Sequence, residues 1–380
     1  MKTWLGGLAV AALLGTSALA ADLGKGDGMA DLEERVAELE AVTAKKGNRK
    51  MTLVISGEVS KALLYHDLDG LVGADKLRVI DNPNSGTKLR FSGEGKMSPT
   101  VKAGFLVEIG IDDTAGNLLG VGSAINDFNV RHSVVWMEAA LGRVSVGRTS
   151  TATDGIVEID LANTNLASLP MSLEPLWTYS GIPGIGLGIV SPVGYDGSRA
   201  NIVRYDTPNI AGFQASAAWG GGQSFTGDDV YDAALRYAGE FGGFRVAAGA
   251  GYRVEKLSSG GADDLRTLAG SASLLHVVSG IFANAYLGTQ DSHPLWGDTR
   301  MWQARAGWAK NFTGVGQTSI FGEYADHRLN DLDVTSNFWG AGIVQSFDAL
   351  SLDLFGSFRS YDIGGAFDAN VGMVGARVKF

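Results

Sequence analysis

The sequence predicts an all-β chain: a sixteen-stranded antiparallel transmembrane β-barrel with one long loop folded into its lumen. Three observations lead there. From residue 52 to the end, apolar and polar side chains alternate with the period of two that a strand imposes. The stretches between strands alternate short and long, as in barrels with tight turns at one rim and loops at the other. No window after residue 20 approaches the eighteen apolar residues of a spanning helix, and the chain has no cysteine. Strands are left to make any membrane crossing, and a large cooperative sheet is left to supply stability.

Residues 1–20 carry Lys2, an apolar run over 4–14 and the small-residue site Ala18-Leu19-Ala20, the layout of a secretory signal cleaved near Ala20/Ala21. The mature chain is then exported into the periplasm and on to the bacterial outer membrane. Residues 21–50 form a linker in which Met29, Leu32, Val36 and Leu39 recur at helical spacing among Glu33, Glu34, Arg35, Glu38 and Glu40. That pattern fits a short coiled coil joining three chains at the periplasmic mouth, and it equally fits an amphipathic linker.

The barrel domain, 51–380, reads as strands at 52–66, 87–96, 100–112, 127–141, 143–149, 200–206, 213–219, 231–241, 244–254, 266–278, 281–288, 300–311, 318–327, 335–347, 350–360 and 369–380. All eight prolines fall between these strands, where no ladder hydrogen bond is lost. The 54 glycines are dispersed without a linker or collagen period, which suits a sheet that must curve and close. Leu89 and Phe91 alternate with Lys88, Arg90 and Ser92, and Val101, Ala103, Phe105 and Val107 with Lys102 and Glu108. In a barrel the apolar set meets membrane lipid and the charged set a wet lumen.

Residues 150–198 break the pattern. They hold Asp154, Glu158, Asp160, Glu174 and Asp196, no Lys or Arg, and four of the prolines. So long a segment without strand character inside a compact protein calls for a function, and we read it as folding back to narrow the lumen.

The chain ends Met373-Val374-Gly375-Ala376-Arg377-Val378-Lys379-Phe380. Gly375, Val378 and the terminal Phe380 resemble the assembly signal of outer-membrane barrels, which implies the barrel-assembly machinery as a partner. The run Asp31-Leu32-Glu33-Glu34-Arg35-Val36, followed by Lys46-Gly47-Asn48-Arg49-Lys50, Leu53-Val54-Ile55-Ser56-Gly57-Glu58-Val59 and, before the long loop, Gly142-Arg143-Val144-Ser145-Val146-Gly147-Arg148, is similar to alphaproteobacterial general-diffusion porins. The resemblance implies a homotrimer of sixteen-stranded pores whose third external loop enters each channel. By count, 150–199 is that loop.

On this reading Asp154, Glu158, Asp160 and Glu174 form the acidic side of a constriction, opposed by wall residues Lys88, Arg90, Arg131 and Arg148. Small hydrophilic solutes and ions would diffuse through passively; the alternative is a channel selective for a sugar or an anion. Arg204, Arg236, Arg245, Arg253, Arg305, Arg359 and Arg377 also point inward. The charges either span a gap as a transverse field or pair directly and fix the loop.

Other functions find less support. His132 and Ser133 are strand neighbours on opposite faces, unable to share a hydrogen bond, so no nucleophile is activated there. No cofactor is expected. Asp326, Asp331 and Asp333 are the candidate ligands for a calcium ion. The net charge of −10, with basic residues clustered only at 45–50, disfavours nucleic acid.

Overall fold

The computed structural model describes residues 51–68, 77–112, 127–170, 195–221, 229–256, 264–293, 297–331, 333–364 and 367–380. The expected signal and linker, residues 1–50, lie outside them, as does Glu174.

Seventeen strands follow in order: β1 (Val54–Leu68), β2 (Leu77–Asp81), β3 (Lys88–Ser98), β4 (Val101–Asp112), β5 (Asp127–Ala139), β6 (Gly142–Ser150), β7 (Arg199–Asp206), β8 (Phe213–Gly221) and β9 (Asp229–Phe241). Then come β10 (Phe244–Glu255), β11 (Leu265–His276), β12 (Ile281–His293), β13 (Gly297–Lys310), β14 (Thr318–Leu329), β15 (Val334–Phe347), β16 (Leu352–Ile363) and β17 (Phe367–Lys379). Strand β1 pairs with β3 over 54–58 and with β2 over 61–65, so β2 and β3 lie end to end along one edge. From β3 each strand pairs with the next, and β17 returns to β1 with Glu58 opposite Lys379 and Leu68 opposite Ala369. The ring therefore has the sixteen staves expected. The addition is β2, inside a stretch that read as loop.

The broken stave is repaired by side chains. The Ser60 N–H donates to Thr87 Oγ1 at 3.1 Å, and its carbonyl accepts the Asn82 N–H at 3.1 Å. Asp81 accepts the Thr87 N–H and hydroxyl at 2.8 and 2.6 Å and pairs with Lys61 at 2.9 Å. These bonds replace the missing ladder, as burial of backbone polar groups requires. At the seam, Gly57 and Phe380 exchange both backbone hydrogen bonds, at 2.9 and 3.1 Å. A closed ring leaves no strand edge to lipid.

The outer face is exposed and apolar, with Val59, Leu63, Val135, Val146, Val203, Leu235 and Leu287 among its residues. Aromatics band it twice. Trp219, Tyr231, Tyr252, Trp302, Tyr324 and Trp339 lie toward the long-loop rim, and Tyr205, Phe213, Phe241, Phe244 and Trp308 toward the short-turn rim. Lipid solvates such a face, and ring side chains suit its two interfaces.

The inner face departs from a simple polar lining. Leu275, Phe282, Tyr286, Met301, Phe321, Phe338, Phe355 and Val371 point inward and are buried in one cluster with Ala152, Ile156, Val157, Ala162 and Leu166 of the inserted loop. One sector of the lumen wall is thus apolar because protein, not water, covers it.

Gly375 faces inward at the seam, where a Cβ would overlap the Lys61 carbonyl oxygen and the Phe355 ring. Gly375→Val is expected to cost roughly 1–3 kcal/mol of overpacking strain and to reduce the fraction that runs as the compact, heat-modifiable band on an unheated SDS gel. An unchanged fraction would contradict this closure.

Candidate functional site

Residues 151–170 and 195–198 lie inside the ring, and their hydrogen bonds trace a path around its wall. At the stem, Asp232 on β9 accepts the N–H groups of Ala152 and Thr153 at 3.1 and 2.8 Å. Arg204 on β7 donates to the carbonyls of Ser150 and Thr151 at 3.0 and 2.9 Å. Arg236 donates to the Asp154 carbonyl at 2.8 Å, and Arg253 donates to that of Asp196. Farther along, the Ser271 hydroxyl donates to the Ile156 carbonyl at 2.7 Å, the Leu161 N–H donates to Ser273 Oγ at 3.0 Å, and Asn284 donates to Asp160 at 3.0 Å. Gln317 donates to the Ala162 carbonyl at 3.0 Å. At the far end Asn82 and Asn84, in the break between β2 and β3, donate to the Leu166 carbonyl at 3.1 and 3.3 Å. Among the described residues the path starts at β7, runs past β9 to β16 and reaches the broken stave, with no hydrogen bond to β3, β4 or β5.

The tightest seat is ionic. Glu323 on β14 accepts from Arg305 on β13 at 2.9 Å and from Arg359 on β16 at 2.8 Å, with side-chain exposures of 1, 0 and 4%. The Ser168 hydroxyl donates to Glu323 at 2.5 Å. Arg305 also donates to the Ser168 carbonyl at 2.6 Å and Asn165 Oδ1 at 3.1 Å, and Arg359 to the Leu169 carbonyl at 2.8 Å. Three desolvated charges persist because each is paired and the remaining donors end on loop oxygens.

The loop's carboxylates mostly hold the loop itself. Asp160 accepts the N–H groups of Ala162, Thr164 and Asn165 at 2.8, 2.5 and 3.3 Å, closing a turn in which Asn163 takes a left-handed φ of 58°, a conformation Asn tolerates. Asp196 accepts from Gly155, Ile156 and Val157 at 2.8, 2.9 and 3.3 Å. Burial, with Glu158 and Asp154 nearby, pushes its carboxyl above the ordinary range, against the pull of those amides. Asp154, Glu158 and Asp160 are all partly exposed.

The β3–β5 wall carries its own charged pairs. Lys88 pairs with Glu58 at 2.7 Å. Arg90 and Arg131 converge on Glu108, Arg131 at 2.7 Å. The three cationic side chains keep 20 to 28% exposure. His132 lies beside them, its Nδ1 3.1 Å from Thr149 Oγ1 and its Nε2 accepting from Arg199 at 3.4 Å. Lys88, Arg90 and Arg131 thus lie on β3 and β5, strands that no hydrogen bond from a described loop residue reaches.

Several expectations are corrected. Arg148 shares the outward face of Val144 and Val146, and its guanidinium donates to the Val130 carbonyl at 2.6 Å, so it is not a lumen-wall residue. Asp160 is committed to its turn and to Asn284. Asp326, Asp331 and Asp333 do not converge: Asp326 sits across from outward Trp302, Asp333 pairs with Arg328 at 2.7 Å, and among the described residues no group of three such side chains is placed to hold a metal. Sequence reading passed over Asp232 and Glu323 as loop anchors and Glu58 and Glu108 as wall counter-charges. Their one signal was a carboxylate at inward register one strand from an inward arginine or lysine.

Comparison with known proteins places this architecture. A family described as Gram-negative porin matches residues 7–378. No curated protein matches the chain significantly. Among solved structures, the anion-selective porin of Comamonas acidovorans is 17% identical with a TM-score of 0.59, covering 87% of this chain and 100% of its own. OmpT of Vibrio cholerae in a trimer form is 14% identical with a TM-score of 0.58, over 87% and 100%. Salmonella typhi OmpF in complex with daunomycin is 12% identical with a TM-score of 0.55, over 88% and 99%. At these identities the likeness is one of fold.

Glu323→Ala leaves Arg305 and Arg359 buried, adjacent and uncompensated, a loss of roughly 3–5 kcal/mol from the loop's seat. Limited proteolysis of the folded barrel should then cut within 151–170, where the parent protein resists. Equal resistance would show that the ionic seat does not hold the loop.

Proposed function

The chain belongs to the Gram-negative porin family, and from that premise we propose that its aperture sorts solutes by charge across a gap between the loop and the β3–β5 wall. The protein is a passive outer-membrane channel for small solutes. A ring of sixteen staves is too wide for side chains to fill, so water occupies what the loop leaves open. The observation that carries the proposal is the loop's one-sided docking. Its bonds run from β7 past β9–β16 to the break between β2 and β3, so that among the described residues none reaches the strands carrying Lys88, Arg90 and Arg131, and Asp154 and Glu158 stay partly exposed. Opposite charges held apart beside low-dielectric walls make a transverse field that orders water and disfavours solutes with large apolar faces. The gap must be narrow for this, since screening acts beyond ~8 Å at physiological salt.

A second reading, an anion-preferring channel, draws on the wall itself, where three cations, Lys88, Arg90 and Arg131, pair with two carboxylates, Glu58 and Glu108. The Comamonas porin named as anion-selective is consistent with it. Saturable block by one anion or one sugar at low concentration would favour a selective channel over an open pore.

The remaining features extend the proposal. The trimer form of OmpT supports a homotrimer here. Gly375, Val378 and Phe380 would present the last strand to the barrel-assembly machinery, after signal removal near Ala20/Ala21. The resemblance of the cited residue runs to alphaproteobacterial porins supports that branch of the family. No enzymatic step is assigned to the lumen.

Replacing both loop carboxylates, Asp154→Asn with Glu158→Gln, removes two negative charges from the aperture. The reversal potential in a potassium chloride gradient is expected to move toward anion preference, while liposome swelling in small neutral sugars stays as it was. No change in reversal potential would remove the loop from the selectivity account.

A further inference from the structure

We propose that Glu108 is the residue that sets the ionic selectivity of the aperture, by cancelling one of the two guanidinium charges on its wall. This inference rests on the channel reading above and concerns a residue with no hydrogen bond or ion pair to the described loop residues.

The geometry is specific. Glu108 lies on β4 with 1% side-chain exposure, directly across from Arg90 on β3 and His132 on β5. Arg90 gives it both Nε and Nη2, on one carboxylate oxygen. Arg131 gives Nε to the other oxygen at 2.7 Å. A register shift between β4 and β5 falls at this point, between Glu108 and Ile109, so that His132 pairs with Glu108 and Val130 with Ile109. Arg131 is the extra residue of a bulge, and a bulge re-aims its side chain. That brings a second guanidinium onto a carboxylate that strict alternation would have left to Arg90 alone.

Both arginines stay partly open to the lumen, at 23 and 28% exposure, while the carboxylate is hidden behind them. A passing ion therefore meets guanidinium edges, and the buried charge acts only through the field. Two cations and one anion leave a net charge of +1 on this part of the wall. Lys88, the next cation along the wall, already has Glu58 at 2.7 Å, with Arg377 at 3.6 Å from the same carboxylate. His132 Nε2 lies 4.0 Å from Glu108 and accepts from Arg199, so the ring adds no charge while that bond holds. Neutralising Glu108 would double the local charge without exposing any new surface.

A role confined to packing and a role in selectivity separate in planar bilayers. Glu108→Gln should raise the anion-to-cation permeability ratio about threefold, the effect of one unit charge felt across several ångströms of water, with single-channel conductance within about a factor of two. Glu108→Asp keeps the charge and should keep the ratio. Arg131→Gln should lower the ratio, and the double variant E108Q with R131Q should return it to the parent value. Glu138→Gln, which frees Arg143 at the short-turn end of the lumen, should shift it less than E108Q does.

If E108Q does not assemble, the opposed shift of R131Q still decides the sign, and an R131Q channel with the parent ratio overturns the proposal. So does an E108Q channel that conducts with an unchanged reversal potential, and in that case the channel reading survives. A parent protein that passes no ions in the same bilayers would defeat the channel reading instead.

Discussion

Glu323, buried between Arg305 and Arg359, imposes a condition that shapes the whole lumen: two guanidiniums out of water must place every remaining N–H on an acceptor. The acceptors are the carbonyls of Ser168 and Leu169 and the side chains of Thr164 and Asn165. Backbone that would otherwise lie unsatisfied inside a barrel is thereby fixed to three staves at once. The same trade recurs at the stem, where Arg204, Arg236 and Arg253 end on loop carbonyls and Asp232 on loop amides. Wall arginines and loop acids do not simply pair. The arginines take carbonyls, and the acids take amides.

This division bears on what passes through. A loop held by its backbone leaves Asp154 and Glu158 partly exposed, whereas a loop held to the wall by those two carboxylates would have buried them. It also explains why the wall behind the loop is apolar. Phe282, Met301, Phe321 and Phe338 point inward, where water would be a poor neighbour, and share one buried cluster with Ile156, Ala162 and Leu166. The barrel thus has a core under the loop and an aqueous sector beyond it, and the charged groups of the second depend on the packing of the first.

Much of this was legible in the sequence, and the rest was hidden for identifiable reasons. Period-two alternation and the rhythm of connections place sixteen staves, because a ring in lipid has no other way to satisfy its backbone. Strand β2 escaped because five residues, Leu77–Asp81, are too few to show a period. The apolar inner face escaped because alternation separates two faces without saying what covers each. Arg148 was in principle readable, since strict alternation sets it beside Val144 and Val146. Only the attraction of a cation near the loop argued otherwise. The bulge that turns Arg131 onto Glu108 leaves no mark in composition, because it is a property of pairing and not of one strand.

We propose that the docked loop, and not the ring, sets the aperture. Ser150 and Arg199 are cross-strand partners at the tops of β6 and β7, so residues 151–198 can be replaced by a short Gly-Ser turn without opening the ring. The single-channel conductance of that variant, measured beside the parent in the same salt, is the direct test. A several-fold rise with weakened ion selectivity is the predicted result; an unchanged conductance and selectivity would contradict the claim.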